Sequence, residues 1–139
     1  MHDPIFVIFT GPMFGSKTTR LLAMVDRFRH QNRKVVAFKP LMDDRYSTVE
    51  IRTHSGGSLA ANGVQNGHDI VEYLESLKEN YDVIAVDEAF MIDGITDVLL
   101  GLFRKGKTIV VSSLQLSASG NVFDEVRDMM PWATKIEIC

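Results

Sequence analysis

Cysteine is almost missing from this 139-residue sequence: its one thiol, Cys139, is the last residue. An internal disulfide framework is excluded, and so is a zinc site built from several thiolates within these residues. Long apolar runs are missing as well. Stretches such as Val83 to Val86 and Thr108 to Val111 fall far short of the ~20 residues a membrane span requires, so no membrane partner is expected. There is no excess of positive charge either. With 15 Lys and Arg against 18 Asp and Glu, the net charge is −3, and the basic stripe usual in duplex-binding proteins is absent, which argues against nucleic acid as a partner. Met1-His2-Asp3-Pro4 offers no basic region ahead of the first apolar run, and no small-residue cleavage site follows it. A secretory signal is therefore not expected, and a cytoplasmic location is.

What is present is ordinary for one globular domain: 45% apolar and 24% charged residues, enough chain to bury a continuous core and too little for two. Apolar β-rich runs alternate with segments of helical period, the pattern of a mostly parallel sheet with flanking helices, an α/β fold. Ile5 to Phe9 reads as a strand buried on both faces. Gly11 to Ser16 follow as a turn. A helix from Lys17 places Leu21, Val25 and Phe28 on one face and leaves Arg20, Arg27 and Arg29 for solvent. Val35 to Phe38 is the next strand. Periodicity then fades between Pro40 and Gly67, which predicts a long functional loop with a short strand near Leu59. Beyond it come a helix carrying Ile70, Leu74 and Leu77, a strand from Val83 to Val86, and a helix carrying Ile95, Val98, Leu99 and Leu102. A strand from Thr108 to Ser112, a short helix near Val122 to Met130 and a strand from Lys135 to Ile138 complete the chain. Met24, Met129 and Met130 lie in or beside helical patterns, where filling the core is their expected role.

Gly11-Pro12-Met13-Phe14-Gly15-Ser16-Lys17-Thr18 is close to the phosphate loop G-x-x-x-x-G-K-[ST], and it lies between a buried strand and a helix, as that motif requires. Backbone N–H groups of such a loop cradle a β-phosphate and the helix start adds partial positive charge. Lys17 can reach the β- and γ-oxygens, and Thr18 can bind Mg²⁺. ATP with Mg²⁺ is the implied cofactor. Ser16 stands where the motif has glycine, and its Cβ is expected to crowd the phosphate or restrict the backbone.

Asp87-Glu88 follow the apolar strand Val83 to Val86, at the carboxyl end of a strand, where open α/β sheets bind their ligands. A strand-end aspartate in P-loop enzymes holds Mg²⁺ directly or through water, which is the role expected of Asp87; Glu88 is left free to act as a base. The bland reading of the same pair is an acidic helix start favoured by the dipole.

With these two sites placed, the chain resembles the cytosolic, zinc-containing thymidine kinase family. Family members carry G-P-M-F-S-G-K-[ST], and Gly11-Pro-Met-Phe14 matches it with the next two residues transposed. They continue with K-P-x-x-D-x-R-Y-[SG] and [ST]-H-[DS]-G, and here Lys39-Pro40, Asp43, Arg45-Tyr46-Ser47 and Thr53-His54-Ser55-Gly56 stand in order. The resemblance implies a P-loop, RecA-like core that transfers the γ-phosphoryl group of ATP to the 5′-hydroxyl of thymidine or deoxyuridine, in a homo-oligomer, usually a tetramer. It implies that Glu88 is the general base and Asp87 the magnesium partner, that Arg45 lies near the reacting phosphate, and that Met13 and Leu114 are apolar walls of the nucleoside pocket.

The sequence departs from the family's D-E-[AG]-Q-F-F at Phe90 and Met91, so that Met91 takes an aromatic pocket position, and from its L-D-x-x-F at Gln115. Family members also run on into a zinc-bound cysteine domain with a lasso loop over the thymidine. Residues 1–139 are accordingly expected to be the kinase core without that lid, with Zn²⁺ only in a longer gene product. Two other readings stay open: a P-loop ATPase in which Glu88 activates water, and a nucleotide-binding regulatory module without turnover.

Overall fold

Every residue of strand β1 (Phe6–Thr10) is buried, as an apolar run between two helical layers requires. A computed structural model describes residues 3–11, 16–41, 48–53, 57–114 and 124–139, without the side chains of Thr48, Val49 and Glu125. β1 leads into helix α1 (Lys17–His30) and strand β2 (Val35–Pro40), then strands β3 (Thr48–Arg52) and β4 (Ser58–Val64). Helix α2 (Gly67–Ser76), strand β5 (Val83–Val86), helix α3 (Ile95–Arg104) and strand β6 (Thr108–Ser113) follow. Helix α4 (Asp124–Met129) and strand β7 (Lys135–Ile138) come last. These strands form one sheet in the order β3-β4-β2-β5-β6-β1-β7. All neighbours are parallel except β3 and β4.

Alternation along the strands divides the core into two layers. Val7, Phe9, Ala37, Val83, Ala85 and Val110 pack beneath α1, against Leu21, Met24, Val25 and Phe28. Phe6, Ile8, Phe38, Ile84, Val86, Ile109 and Val111 pack on the opposite face with Ile70 and Leu74 of α2, Ile95 and Leu99 of α3, and Met129 of α4. The expected α/β architecture with a mostly parallel sheet is therefore observed, and Met24 and Met129 fill core space as expected. Among the described residues no helix is long and apolar enough to cross a membrane.

The segment between Pro40 and Gly67 corrects the sequence reading. The short strand expected near Leu59 is found, but within a longer β4 that forms an antiparallel pair with β3, Val49↔Ala61 to Arg52↔Ser58, and continues into parallel pairing with β2 from Phe38↔Asn62 to Pro40↔Val64. The strand Ser-Leu-Ala-Ala-Asn-Gly-Val is poor in β-branched residues, so its local propensity is low. Pairing with β2 and burial of Leu59, Ala61 and Val64 decide its conformation instead. The last helix is also shorter than expected: α4 stops at Met129 and gives way to a 3-10 turn, Met130–Trp132. Residues 122 and 123, included in the expected helix, lie outside the described residues. Arg20 is exposed, as its helical position predicts, and also forms an ion pair with Glu137 of β7.

Candidate functional site

Parallel pairing brings the carboxyl ends of the central strands to one edge of the sheet. Register places Phe38 beside Val86, Val86 beside Val111, and Thr10 beside Ser113. The residues that end these strands, Thr10, Lys39, Asp87, Ser112 and Ser113, therefore meet at the same edge, where α/β sheets bind ligands.

The start of α1 opens onto this edge. Gly11 leaves β1 with φ +146, and a Cβ there would meet the Cys139 carbonyl oxygen at 2.5 Å, so this position requires glycine on both conformational and steric grounds. Ser16, expected to strain the loop, has φ −89 and stands at the N-cap position without a side-chain capping hydrogen bond. That φ is open to any residue, so the exchange of glycine for serine costs no backbone strain here. No acidic residue lies in the first turn of α1, and the partial positive charge of this helix end is left for an anion.

Thr18, in that first turn, donates its hydroxyl to Asp87 Oδ1 at 3.1 Å. Ser112 Oγ donates a hydrogen bond to the same carboxylate oxygen. Alternation explains the convergence: Asp87 continues the face of Val83 and Ala85, and Ser112 the face of Val110, both beneath α1. Mg²⁺ takes hard oxygen ligands, commonly one or two carboxylates supplemented by substrate phosphates and water. A hydroxyl and a carboxylate in direct contact at a helix start fit that ion. Among the described residues no three His, Cys, Asp or Glu side chains group as a metal centre, so the remaining ligands would come from nucleotide and water.

Glu88 occupies the left-handed region, φ 53 and ψ 45, a conformation that costs a non-glycine residue roughly 1–2 kcal/mol. Neighbours hold it there. Its N–H donates to Ser112 Oγ at 3.4 Å. The 3-10 turn Ala89–Met91 closes with the Met91 N–H on the Glu88 carbonyl at 3.1 Å, and the Phe90 N–H donates to Ser113 Oγ at 3.1 Å. The side chain is half-buried. Burial, and secondarily the Asp87 carboxylate beside it, push its carboxyl above the ordinary glutamate range, while the ammonium groups of Lys39 and Lys17 pull the other way. A carboxylate made more basic by burial and kept near two cations suits a group that takes up a proton during reaction.

The structure thus brings together Ser16, Lys17, Thr18, Asp87 and Glu88. Leu114 follows β6, half-buried, with its carbonyl accepting from Ser113 Oγ at 3.2 Å, and Met91 lies on the turn after Glu88 with 38% of its surface exposed. Pro12, Met13, Phe14, Gly15 and Arg45 lie outside the described residues, as do His54 and Gln115. Sequence reasoning gave Lys39 no role beyond its place in the Lys39-Pro40 block, and it missed Ser112, Ser113 and Thr10, whose buried hydroxyl has no partner among the described residues. The signal was available: each ends an apolar run read as a central strand, as Asp87 does.

The family model for thymidine kinase matches residues 5–139. The chain belongs to the thymidine kinase family. Among relatives, it is 32% identical over 134 residues to the thymidine kinase of Pyrobaculum aerophilum, an alignment covering 95% of this chain and 71% of that protein. It is 34% identical over 140 residues to the thymidine kinase of Thermococcus kodakarensis, covering 98% and 71%. The thymidine kinase of Ureaplasma urealyticum serovar 10 is 34% identical over 134 residues, covering 93% of this chain and 59% of the relative. Thymidine kinases are ATP-dependent deoxynucleoside kinases, and the edge formed by α1, β5 and β6 holds side chains suited to that chemistry.

Proposed function

We propose that this chain transfers the γ-phosphoryl group of ATP to the 5′-hydroxyl of thymidine, giving thymidine monophosphate and ADP. The observation that carries the reading is the contact of Thr18 with Asp87, with the more basic carboxyl of Glu88 on the next residue. Lys17 and the α1 start hold the triphosphate. Thr18 and Asp87 hold Mg²⁺, which when bound neutralises charge on the phosphate oxygens. Glu88 accepts the proton of the 5′-hydroxyl as that oxygen forms its bond to the γ-phosphorus and the bond from phosphorus to the ADP oxygen breaks. Phosphoryl transfer asks mainly for position and charge neutralisation, and these residues are suited to both.

In this reading Arg45 approaches the transferring phosphoryl group, and Met13, Met91 and Leu114 border the nucleoside. Pro12, Phe14, Gly15 and Ser16 complete the phosphate loop with Gly11. The working unit is a cytoplasmic homo-oligomer, by the same resemblance.

Incubation of the protein with ATP, Mg²⁺ and each deoxynucleoside, following monophosphate and free phosphate separately, tests the proposal. Thymidine-dependent monophosphate that disappears in Glu88→Gln is the expected result. Phosphate release without need of a nucleoside, or nucleotide binding with no turnover at all, would overturn it.

A further inference from the structure

Two consecutive hydroxyls at the end of β6 bracket the segment that carries Asp87 and Glu88. Neighbouring strand residues face opposite sides of the sheet, and the contacts divide accordingly. Ser112, on the α1 side, donates to Asp87 Oδ1 and accepts from the Glu88 N–H. Ser113, on the other side, accepts from the Phe90 N–H and donates to the Leu114 carbonyl. Both serines are buried to within 1% of their surface, where an unpaired hydroxyl would be costly, so each is fixed by its partners.

We infer that Ser112 is a positioning residue for metal-dependent nucleotide binding: it fixes the Asp87 carboxylate so that this group and the Thr18 hydroxyl address one ion together. The inference rests on the proposed assignment of Mg²⁺ to Asp87 and adds a residue that acts through that carboxylate. Three features support it. The Ser112 hydroxyl has a committed direction, because it accepts from the Glu88 N–H and its own proton goes to Asp87. It contacts the same carboxylate oxygen as Thr18, leaving Asp87 oriented by hydroxyls from both α1 and β6. Asp87 is itself only 4% exposed, so bulk water is a poor substitute for a lost partner. Hydrogen-bond partners that orient a ligating carboxylate typically contribute about 10–100-fold to metal affinity.

The test is calorimetric titration of ATP into the whole protein, with Mg²⁺ and with EDTA, for wild type, Ser112→Ala and Ser113→Ala, alongside thermal melting of each. In Ser112→Ala the gain in ATP affinity that Mg²⁺ confers should shrink about tenfold, with Mg²⁺-free affinity unchanged. Ser113→Ala should keep that gain, since its hydroxyl serves the opposite face. A wild-type gain retained in Ser112→Ala would overturn the role of Ser112 while leaving the kinase reading intact. Equal loss in both variants, or equal loss with and without Mg²⁺, would reduce Ser112 to general support of the fold and overturn the inference too. A wild type whose ATP affinity ignores Mg²⁺ would overturn this inference and the metal assignment together.

Discussion

The Thr18 hydroxyl reaches the Asp87 carboxylate at 3.1 Å across 69 positions of sequence. One residue belongs to the first turn of α1 and the other to the end of β5, and β1, β6 and β5 lie side by side between them. The contact ties the start of α1 to the acidic strand end, so each half of the site has its position defined by the other.

Asp87→Asn tests the acidic half. The amide keeps the shape of the side chain and an oxygen for Thr18 and Ser112, but removes the charge. Phosphoryl transfer at saturating thymidine should fall on the order of 100-fold, the equivalent of ~3 kcal/mol of transition-state stabilisation. The Mg²⁺ concentration giving half-maximal rate should rise. Steady-state rates over a Mg²⁺ series check both, and a variant with wild-type Mg²⁺ dependence would exclude Asp87 as a metal ligand.

Glu88→Gln separates chemistry from stability. If Glu88 is the base, as proposed, its loss should lower turnover by ~10²–10⁴-fold, while ATP still binds. Stability should move the other way. Because the folded protein raises the carboxyl pKa of Glu88, the ionised form is disfavoured by folding. The stability associated with this group is full below the unfolded glutamate pKa and is lost as pH rises through the folded value. Glutamine carries no such penalty, so the variant should melt above wild type at neutral pH and lose that advantage in acid. Melting curves across pH read the sign directly; a lower melting temperature for the variant at neutral pH would contradict it.

The fold was legible where the chain is locally consistent. Ile5 to Phe9, Val83 to Val86 and the helix face of Leu21, Val25 and Phe28 announce themselves by period and apolarity alone, because burial on both sheet faces or along one helical stripe leaves no other pattern. β4 was not legible. Its Ala-Ala-Asn-Gly run has no strand preference of its own and is held by Lys39↔Gly63 and Pro40↔Val64 pairing with a strand far from it in sequence. The site divides in the same way. Lys17, Thr18, Asp87 and Glu88 belong to motifs whose spacing implies chemistry. Ser112 and Lys39 are brought to Asp87 and Glu88 by strand register; their places at strand ends were visible in the sequence, but which groups they would face was not.

The charge balance around Glu88 sets a pH dependence. In the proposed role Glu88 must be ionised to accept a proton, so the acid limb of kcat/KM should fall at a pH above the ordinary glutamate range, in keeping with the raised pKa. Lys39 opposes that rise. Lys39→Met removes a cation that favours the carboxylate and should shift the acid limb further upward, while Lys39→Arg should leave it near the wild-type position. Profiles for the three proteins decide the matter: a limb that moves down in Lys39→Met, or moves equally in both variants, would exclude the electrostatic role.

Gly67→Ala weighs helix propensity against packing. Gly67 begins α2, and its N–H donates to the Asp93 carbonyl at 2.7 Å. Alanine is favoured over glycine by up to ~1 kcal/mol within a helix. A Cβ at this position, however, would meet the Gly94 carbonyl oxygen at 2.7 Å and Val98 Cγ2 at 2.8 Å. The carbonyl belongs to the backbone leading into α3, so it can yield only if that helix shifts. Overpacking of this kind costs roughly 1–3 kcal/mol, and packing should win: the variant should unfold at lower urea with an unchanged m-value. The affected contact is that of α2 with α3, on the sheet face opposite α1, so nucleotide affinity of the folded protein should stay at wild-type level. An alanine variant as stable as wild type would mean that the α2 and α3 starts are not held this closely.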